Sequence, residues 1–273
     1  TGFASRFIGF FYRIFLSRIF GAEGMGIYQL ISPVLALSFS LTVASMQTAI
    51  SKYVAGETIS KDYRSSSIHL FCGFVISMAI SILCTIFIYC FADEIAVRFL
   101  LEARTAPLLR IIALSIPLAT VHSCINGYFY GIRKTSVPAL CQLSEQIIRV
   151  GSVYVIYYFC LKHNMTPTIS FAVVGLVIGE SASMLVSLVA VRAHFYHVVP
   201  KHYGALLPFD PPSYYAACSR LLKLAIPLSL NRVIINFLQS IEAIFIPNRL
   251  MLYGYDNATA LSIYGVLTGM SLP

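Results

Sequence analysis

A chain of 273 residues is long enough for two soluble domains, yet 58% of it is A/V/I/L/M/F/W/Y/C, 11% is charged and its mean hydropathy is +0.80. Soluble chains carry about 25% charged residues, so the 19 basic and 11 acidic side chains here cannot coat a water-facing surface of this size, and lipid has to cover most of it. The net charge of +8 comes from Lys and Arg scattered singly through apolar sequence, without the basic stripe that nucleic-acid binding needs, so nucleic acid is excluded as a partner.

Stretches of roughly 20 apolar residues cross a hydrocarbon core of about 30 Å, and they predict seven transmembrane helices and the start of an eighth. The first predicted helix (3–20) places Gly2, Arg6, Gly9, Arg13 and Ser17 on one face at 100° per residue, with Arg18 off that stripe at the headgroup end. Its arginines also rule out a secretory leader, whose apolar region is uncharged. Three glycines in Gly21-Ala22-Glu23-Gly24-Met25-Gly26 are expected to break the helix. The second (27–54) carries Ser38, Thr42, Ser45, Thr48 and Lys52 on one face. The third (66–91) and fourth (106–130) are joined by an amphipathic connector, and the fifth (137–160) gathers Gln142, Glu145, Gln146, Arg149 and Ser152 on one side. After the sixth (169–193), residues 194–219 hold four prolines and read as a linker. The seventh (220–247) carries Ser229, Arg232, Asn236 and Gln239, and the eighth opens near 260.

Lys and Arg in short loops set orientation. With the N-terminus inside, Lys52, Lys61, Arg64, Arg133, Lys134, Arg192, Lys201, Arg220 and Lys223 face the cytoplasm, against Arg98, Arg104, Arg110, Lys162 and Arg249 outside. The N-terminus is therefore expected to be cytoplasmic. The chain has no initiator Met and stops at Ser271-Leu272-Pro273, and reads as a fragment of a longer protein.

An arginine at the centre of a membrane helix costs about 2.5 to 3.5 kcal/mol on insertion scales. Four helices with one polar face each are most simply arranged around a shared cavity, because lipid penalises every such face. That cavity is net cationic: Arg6, Arg13, Lys52, Arg149 and Arg232 against Glu145, which neutralises Arg149 at i,i+4. Guanidinium forks suit phosphate or pyrophosphate. The competing reading, polar helix-packing contacts and interfacial anchors, accounts for any one residue but less well for four stripes together. The small pairs Gly127/Gly131, Gly175/Gly179 and Gly265/Gly269 read as close-packing sites.

Other chemistry is thin. No G-x-S-x-G, Walker A or H-E-x-x-H motif is present, so neither catalytic residues nor a cofactor are expected. His194, His197 and His202 stand in the linker without an acidic or Cys partner and read as interfacial residues; the seven cysteines include no C-x-x-C, and no metal site or disulfide framework is expected. Glu180 and Glu242 are the other intramembrane acids, and no buried His-Asp or Asp-Asp pair is visible to serve a membrane-embedded transferase. Asn164-Met165-Thr166 and Asn257-Ala258-Thr259 are glycosylation tripeptides on predicted outside loops, meaningful only in a eukaryotic secretory pathway.

Arg13-Ile-Phe-Leu-Ser-Arg-Ile-Phe-Gly-Ala-Glu-Gly-Met-Gly-Ile-Tyr-Gln-Leu30, Ala49-Ile-Ser-Lys52, Gly127-Tyr-Phe-Tyr-Gly131, Gln142-Leu-Ser-Glu-Gln-Ile-Ile-Arg-Val150 and Tyr264-Gly-Val-Leu-Thr-Gly-Met-Ser-Leu-Pro273 together resemble the stage V sporulation protein B branch of polysaccharide-biosynthesis flippases. That branch belongs to the multidrug/oligosaccharidyl-lipid/polysaccharide (MOP) exporter superfamily. The resemblance implies an all-α, MATE-like integral membrane bundle in a bacterial cytoplasmic membrane, passing lipid-linked saccharides across it by alternating access. On that fold, 1–193 would be the N-terminal six-helix lobe, 194–219 a cytoplasmic linker and 220–273 the first helices of the second lobe. The implied substrate is an undecaprenyl-diphosphate-linked oligosaccharide or a lipid II-like precursor. Arg13, Lys52, Glu145 and Arg149 match motif positions, whereas Arg6, Arg232, Asn236 and Gln239 rest on the stripes alone. Relatives that flip lipid II often carry an Arg-Asp pair where this chain reads Tyr12-Arg13, so the ion-coupling role of that acid is not carried over. A multidrug exporter of the same fold and a non-transporting scaffold for cell-wall enzymes are the alternatives. An exporter of cationic drugs needs unpaired acids where the stripes offer arginines.

Overall fold

The computed structural model describes residues 2–60, 62–198 and 211–271, and among them every regular element is helical. Helix α1 (Gly2–Thr42) runs through the first predicted helix and into the second with one residue out of helical conformation, Gly21 at φ 69° and ψ −178°. In a straight helix Tyr12 and Tyr28 would stand about 24 Å apart. Instead they line one cleft, with Ser5 and Leu35 on the same wall. The chain therefore folds back at Gly21, whose positive φ is one that side-chain-bearing residues avoid. The expected break over 21–26 is a single residue: Gly24 and Gly26 stay helical. α2 (Ala44–Ile59) follows after Val43, across which the i,i+4 backbone bonds are kept.

α3 (Tyr63–Cys90) starts at Asp62, whose side chain accepts from the Ser65 amide at 3.1 Å. Hydrogen bonding from Ser65, its side chain first and then its amide, holds the Asp62 carboxyl below its usual range. The connector folds into α4 (Ala92–Glu94), a π-turn over Ile95–Phe99 and a 3-10 turn over Ala103–Thr105, burying Ala92, Ala96 and Leu100. α5 (Ala106–Ala113) and α6 (Ser115–Gly131) meet at a 41° bend, followed by α7 (Ser136–Lys162), α8 (Ser170–Val198), α9 (Pro211–Leu252) and α10 (Asn257–Gly265). α8 and α9 thus take in both ends of the expected 194–219 linker. Its centre, 199–210, with Lys201 and His202, lies outside the described residues, as does Lys61. His194 belongs to α8, edge-on to Tyr128 and Phe129 and 3.3 Å from Lys134 Nζ, rather than to a solvated loop.

Among the described residues four helices are long and apolar enough to cross a membrane, or five if the bent α5–α6 pair is one span. The difference from the predicted seven has two sources. Ala4–Ile59 is one continuous apolar stretch, and α7, with its polar stripe, is not among the apolar spans. The outward faces of α3, α7 and α8 expose Leu83, Phe87, Val155, Tyr158 and Val189, which suits lipid contact. This is a multi-pass membrane protein.

The helices pack through the small-residue pairs. A Cβ on Gly127 of α6 would lie 2.7 Å from the Gln47 carbonyl oxygen of α2, and Gly131 is as tightly set against Val54. α7 packs along α8 through Gly175 and Gly179, and α10 packs on α1 through Gly26 and Gly265. On the α10 side Arg104 Nη1 donates to Glu23 Oε1 at 2.7 Å and its Nε to Glu102 Oε1 at 2.8 Å, while Asn257 Nδ2 donates to Glu102 Oε2 at 2.9 Å. Arg104, then Asn257, holds the Glu102 carboxyl below its usual range, and the four groups tie the Gly21 fold-back to the connector and α10.

Candidate functional site

Folding α1 at Gly21 opens a cleft of about 280 Å³ between its two arms, α5, α7 and α8. The first arm presents Tyr12 and Arg13, the second Tyr28, Gln29 and Ser32, and α7 presents Gln146 and Arg149. Two predicted site residues, Arg13 and Arg149, therefore line one space although 136 positions separate them in sequence. The Tyr12 hydroxyl is buried there without a hydrogen-bond partner, the residue being 6% exposed. An unpartnered buried hydroxyl carries a desolvation cost, which a ligand able to accept its proton would remove.

Behind the cleft wall lies a charged cluster. Arg149 pairs with Glu145 one turn back on α7, and its Nη2 stands 3.7 Å from Glu180 Oε1 on α8. Glu180 Oε2 lies 2.7 Å from Nε2 of His122 on α6. The close approach comes from Gly179, where a Cβ would lie 3.0 Å from both Arg149 Cβ and the Glu145 carbonyl oxygen. His122, Glu145 and Glu180 place potential ligand atoms within 4.8 Å of one another. A guanidinium already answers both carboxylates, so a metal ion would have to displace it.

The buried His122–Glu180 pair is what helix-by-helix reading missed. Its members are 58 residues apart on different helices, so no periodicity within one helix marks the pair.

The remaining predicted residues lie elsewhere. Arg232 Nη2 donates to Thr48 Oγ1 at 3.4 Å, and Asn236 Nδ2 donates to the Ala36 carbonyl at 3.3 Å, which sets α9 against α1 and α2. Arg6, Lys52 and Gln239 are exposed. Ser38 and Thr42 on the second arm and Ser45 on α2 are buried, and Ser38 and Thr42 donate to carbonyls of their own helix, so that part of the stripe packs rather than faces an opening. A second cavity of about 330 Å³, apolar, lies between α1, α2, α3 and α9, lined by Leu41, Met46, Ile80, Ile226 and Leu230.

Residues 1–265 match the family model described as Polysaccharide biosynthesis protein. The chain is 27% identical over 272 residues to stage V sporulation protein B of Bacillus subtilis (strain 168), covering 100% of this chain and 52% of that protein. Against sporulation protein YkvU of the same organism it is 25% identical over 277 residues, covering 100% and 58%. Against the B. subtilis lipid II flippase MurJ it is 22% identical over 195 residues, covering 67% and 36%. The chain thus spans about half the length of the first two. Among solved structures, an inward-facing multidrug resistance MATE family transporter of the MOP superfamily superposes with a TM-score of 0.66 at 15% identity, covering 96% of this chain and 56% of that one. That likeness establishes a MATE-like all-α bundle.

Proposed function

Because the chain belongs to the polysaccharide biosynthesis protein family, we propose that it forms part of a flippase that carries a lipid-linked saccharide across the membrane by holding the substrate's diphosphate, with no bond made or broken. The observation that carries this reading is the cleft itself: Arg13, an exposed residue, and Arg149 line one space with the unpartnered Tyr12 hydroxyl, in a bundle whose outer faces suit lipid. Two guanidiniums and a phenol are all donors, and phosphate oxygens are all acceptors. The substrate class is an undecaprenyl-diphosphate-linked oligosaccharide or a lipid II-like precursor, in keeping with the similarity to the B. subtilis lipid II flippase. The separate apolar cavity offers a surface suited to a prenyl tail. Lys52, Arg232, Asn236, Gln239 and Arg6 belong to the same proposal as a second polar region on the translocation route. Glu145 serves it by orienting Arg149.

The test uses the full-length protein. Arg13→Ala should abolish complementation of a flippase-deficient strain, and Arg13→Lys should restore it only in part, because lysine keeps the charge and loses the bidentate fork. A charge-assisted contact is worth about 1.5 to 3 kcal/mol, so precursor binding should weaken roughly ten- to a hundredfold. Arg18→Ala, off the stripe, is the control. Full activity in Arg13→Ala at matched expression would remove the anion clamp and favour the scaffold reading.

A further inference from the structure

We propose that His122, Glu180, Glu145 and Arg149 form a one-proton site, loaded at His122 Nδ1, that sets how strongly Arg149 attracts an anion in the cleft. This rests on the anion reading of the cleft given above. Two carboxylates and one guanidinium leave the cluster one negative charge in excess while His122 is neutral, in a site where Glu180 is 7% exposed and Glu145 and Arg149 are 15% exposed. An uncompensated charge in such surroundings is costly. One proton on the imidazole balances it.

The geometry says where that proton goes. His122 Nε2 lies 2.7 Å from Glu180 Oε2, so in the neutral ring this nitrogen carries the hydrogen and donates. Nδ1 is buried without a partner and is the open basic position. Protonation there turns the pair into imidazolium and carboxylate, which satisfies Glu180 from the α6 side. Arg149 is then released from holding Glu180 at 3.7 Å, and its positive charge is directed at the cleft that it lines. Its Nε, buried and unpartnered, is a donor left over from the two carboxylate contacts.

The groups around His122 leave this balance intact. From α7 come Glu145 and Arg149, from α8 Glu180, and from α1 Tyr12 and Tyr28, which sense Arg149, with Arg13 beyond Tyr28. α2 and α3 meet α6 through Gln47, Ser51 and Cys72, and their own ionisable pair is Glu57 with His69 at 2.8 Å. On the α5 side Arg110 is paired with Asp93 at 2.6 Å. Anion affinity should therefore rise as pH falls, and binding should take up a proton from solution wherever His122 starts neutral.

Inorganic pyrophosphate is the probe, measured calorimetrically on the purified full-length protein across roughly pH 5 to 8, where histidine titrates. One unit charge at about 10 Å in an effective dielectric near 20 changes affinity on the order of tenfold, and that is the expected weakening toward high pH relative to His122→Gln, pyrophosphate's own titration being common to both. His122→Gln should bind weakly at every pH. Glu180→Gln, which removes the excess negative charge, should bind tightly at every pH; a merely structural role would weaken both variants alike. Arg13→Ala should bind more weakly throughout and keep the pH slope. A slope unchanged in His122→Gln overturns the proposal. If pyrophosphate fails to bind at any pH, the anion reading of the cleft falls, and histidine-selective ¹⁵N NMR decides the proton site separately. A His122 titration moved by Glu180→Gln supports it, and an unmoved one ends it.

Discussion

Tyr12 sits beside Arg13 on the cleft wall, and its hydroxyl has no partner to lose. Tyr12→Phe should therefore leave the melting temperature unchanged or raise it slightly, since the buried hydroxyl carries only desolvation cost. Pyrophosphate binding should weaken about three- to tenfold, the worth of one hydrogen bond at roughly 0.5 to 1.5 kcal/mol. A large loss of thermal stability with unchanged binding would show that the hydroxyl serves the fold and leave the cleft without its donor. At this scale the sequence was partly legible. Arg13 and Arg149 stand out because charge inside an apolar helix is rare. Tyr12 does not, because a tyrosine in a membrane helix is unremarkable until its neighbours are known. His122 and Glu180 share their helix faces with small polar residues, Asn126 on α6 and Ser183 and Ser187 on α8, and only their meeting sets them apart.

At the level of elements, glycine decides how closely helices approach. Gly127 of α6, one of the small pairs, and Gly151 of α7 both lie inside helices, yet a Cβ on Gly127 would strike the Gln47 backbone at 2.7 Å and one on Gly151 would meet nothing within 4 Å. Backbone cannot yield as a side-chain tip can, so Gly127→Ala should cost about 1 to 3 kcal/mol by overpacking. Gly151→Ala should gain roughly 0.5 to 1 kcal/mol from reduced unfolded-state freedom. Thermal unfolding of the two variants in detergent checks this pair, and equal shifts for both would contradict the packing assignment of α6 on α2. The glycine run 21–26 teaches the same lesson. Composition marks it as a breaker, but one glycine turns the chain and another admits α10.

For the whole molecule, the open matter is which way the bundle faces. The Lys and Arg asymmetry predicts that the loop at Asn164 is extracytoplasmic and the linker within 194–219 cytoplasmic. Single cysteines introduced in a background lacking the seven native ones should be labelled from outside near Asn164 and protected at the linker; the reverse pattern would invert the topology. By itself the sequence determined the membrane class, the helix periods and the charged stripes, because a hydrocarbon solvent imposes a composition that can be read residue by residue. The MATE-like family resemblance was legible in the same motifs. Only the tertiary structure decided which stripes share a space. Arg13 and Arg149 meet because Gly21 folds α1 back, whereas Arg232 turns to Thr48 and the hydroxyls of the second arm turn into packing. Helix periodicity states which residues share a face. Which faces meet depends on close approaches between helices far apart in the chain, and those are set by shape complementarity that no single helix contains.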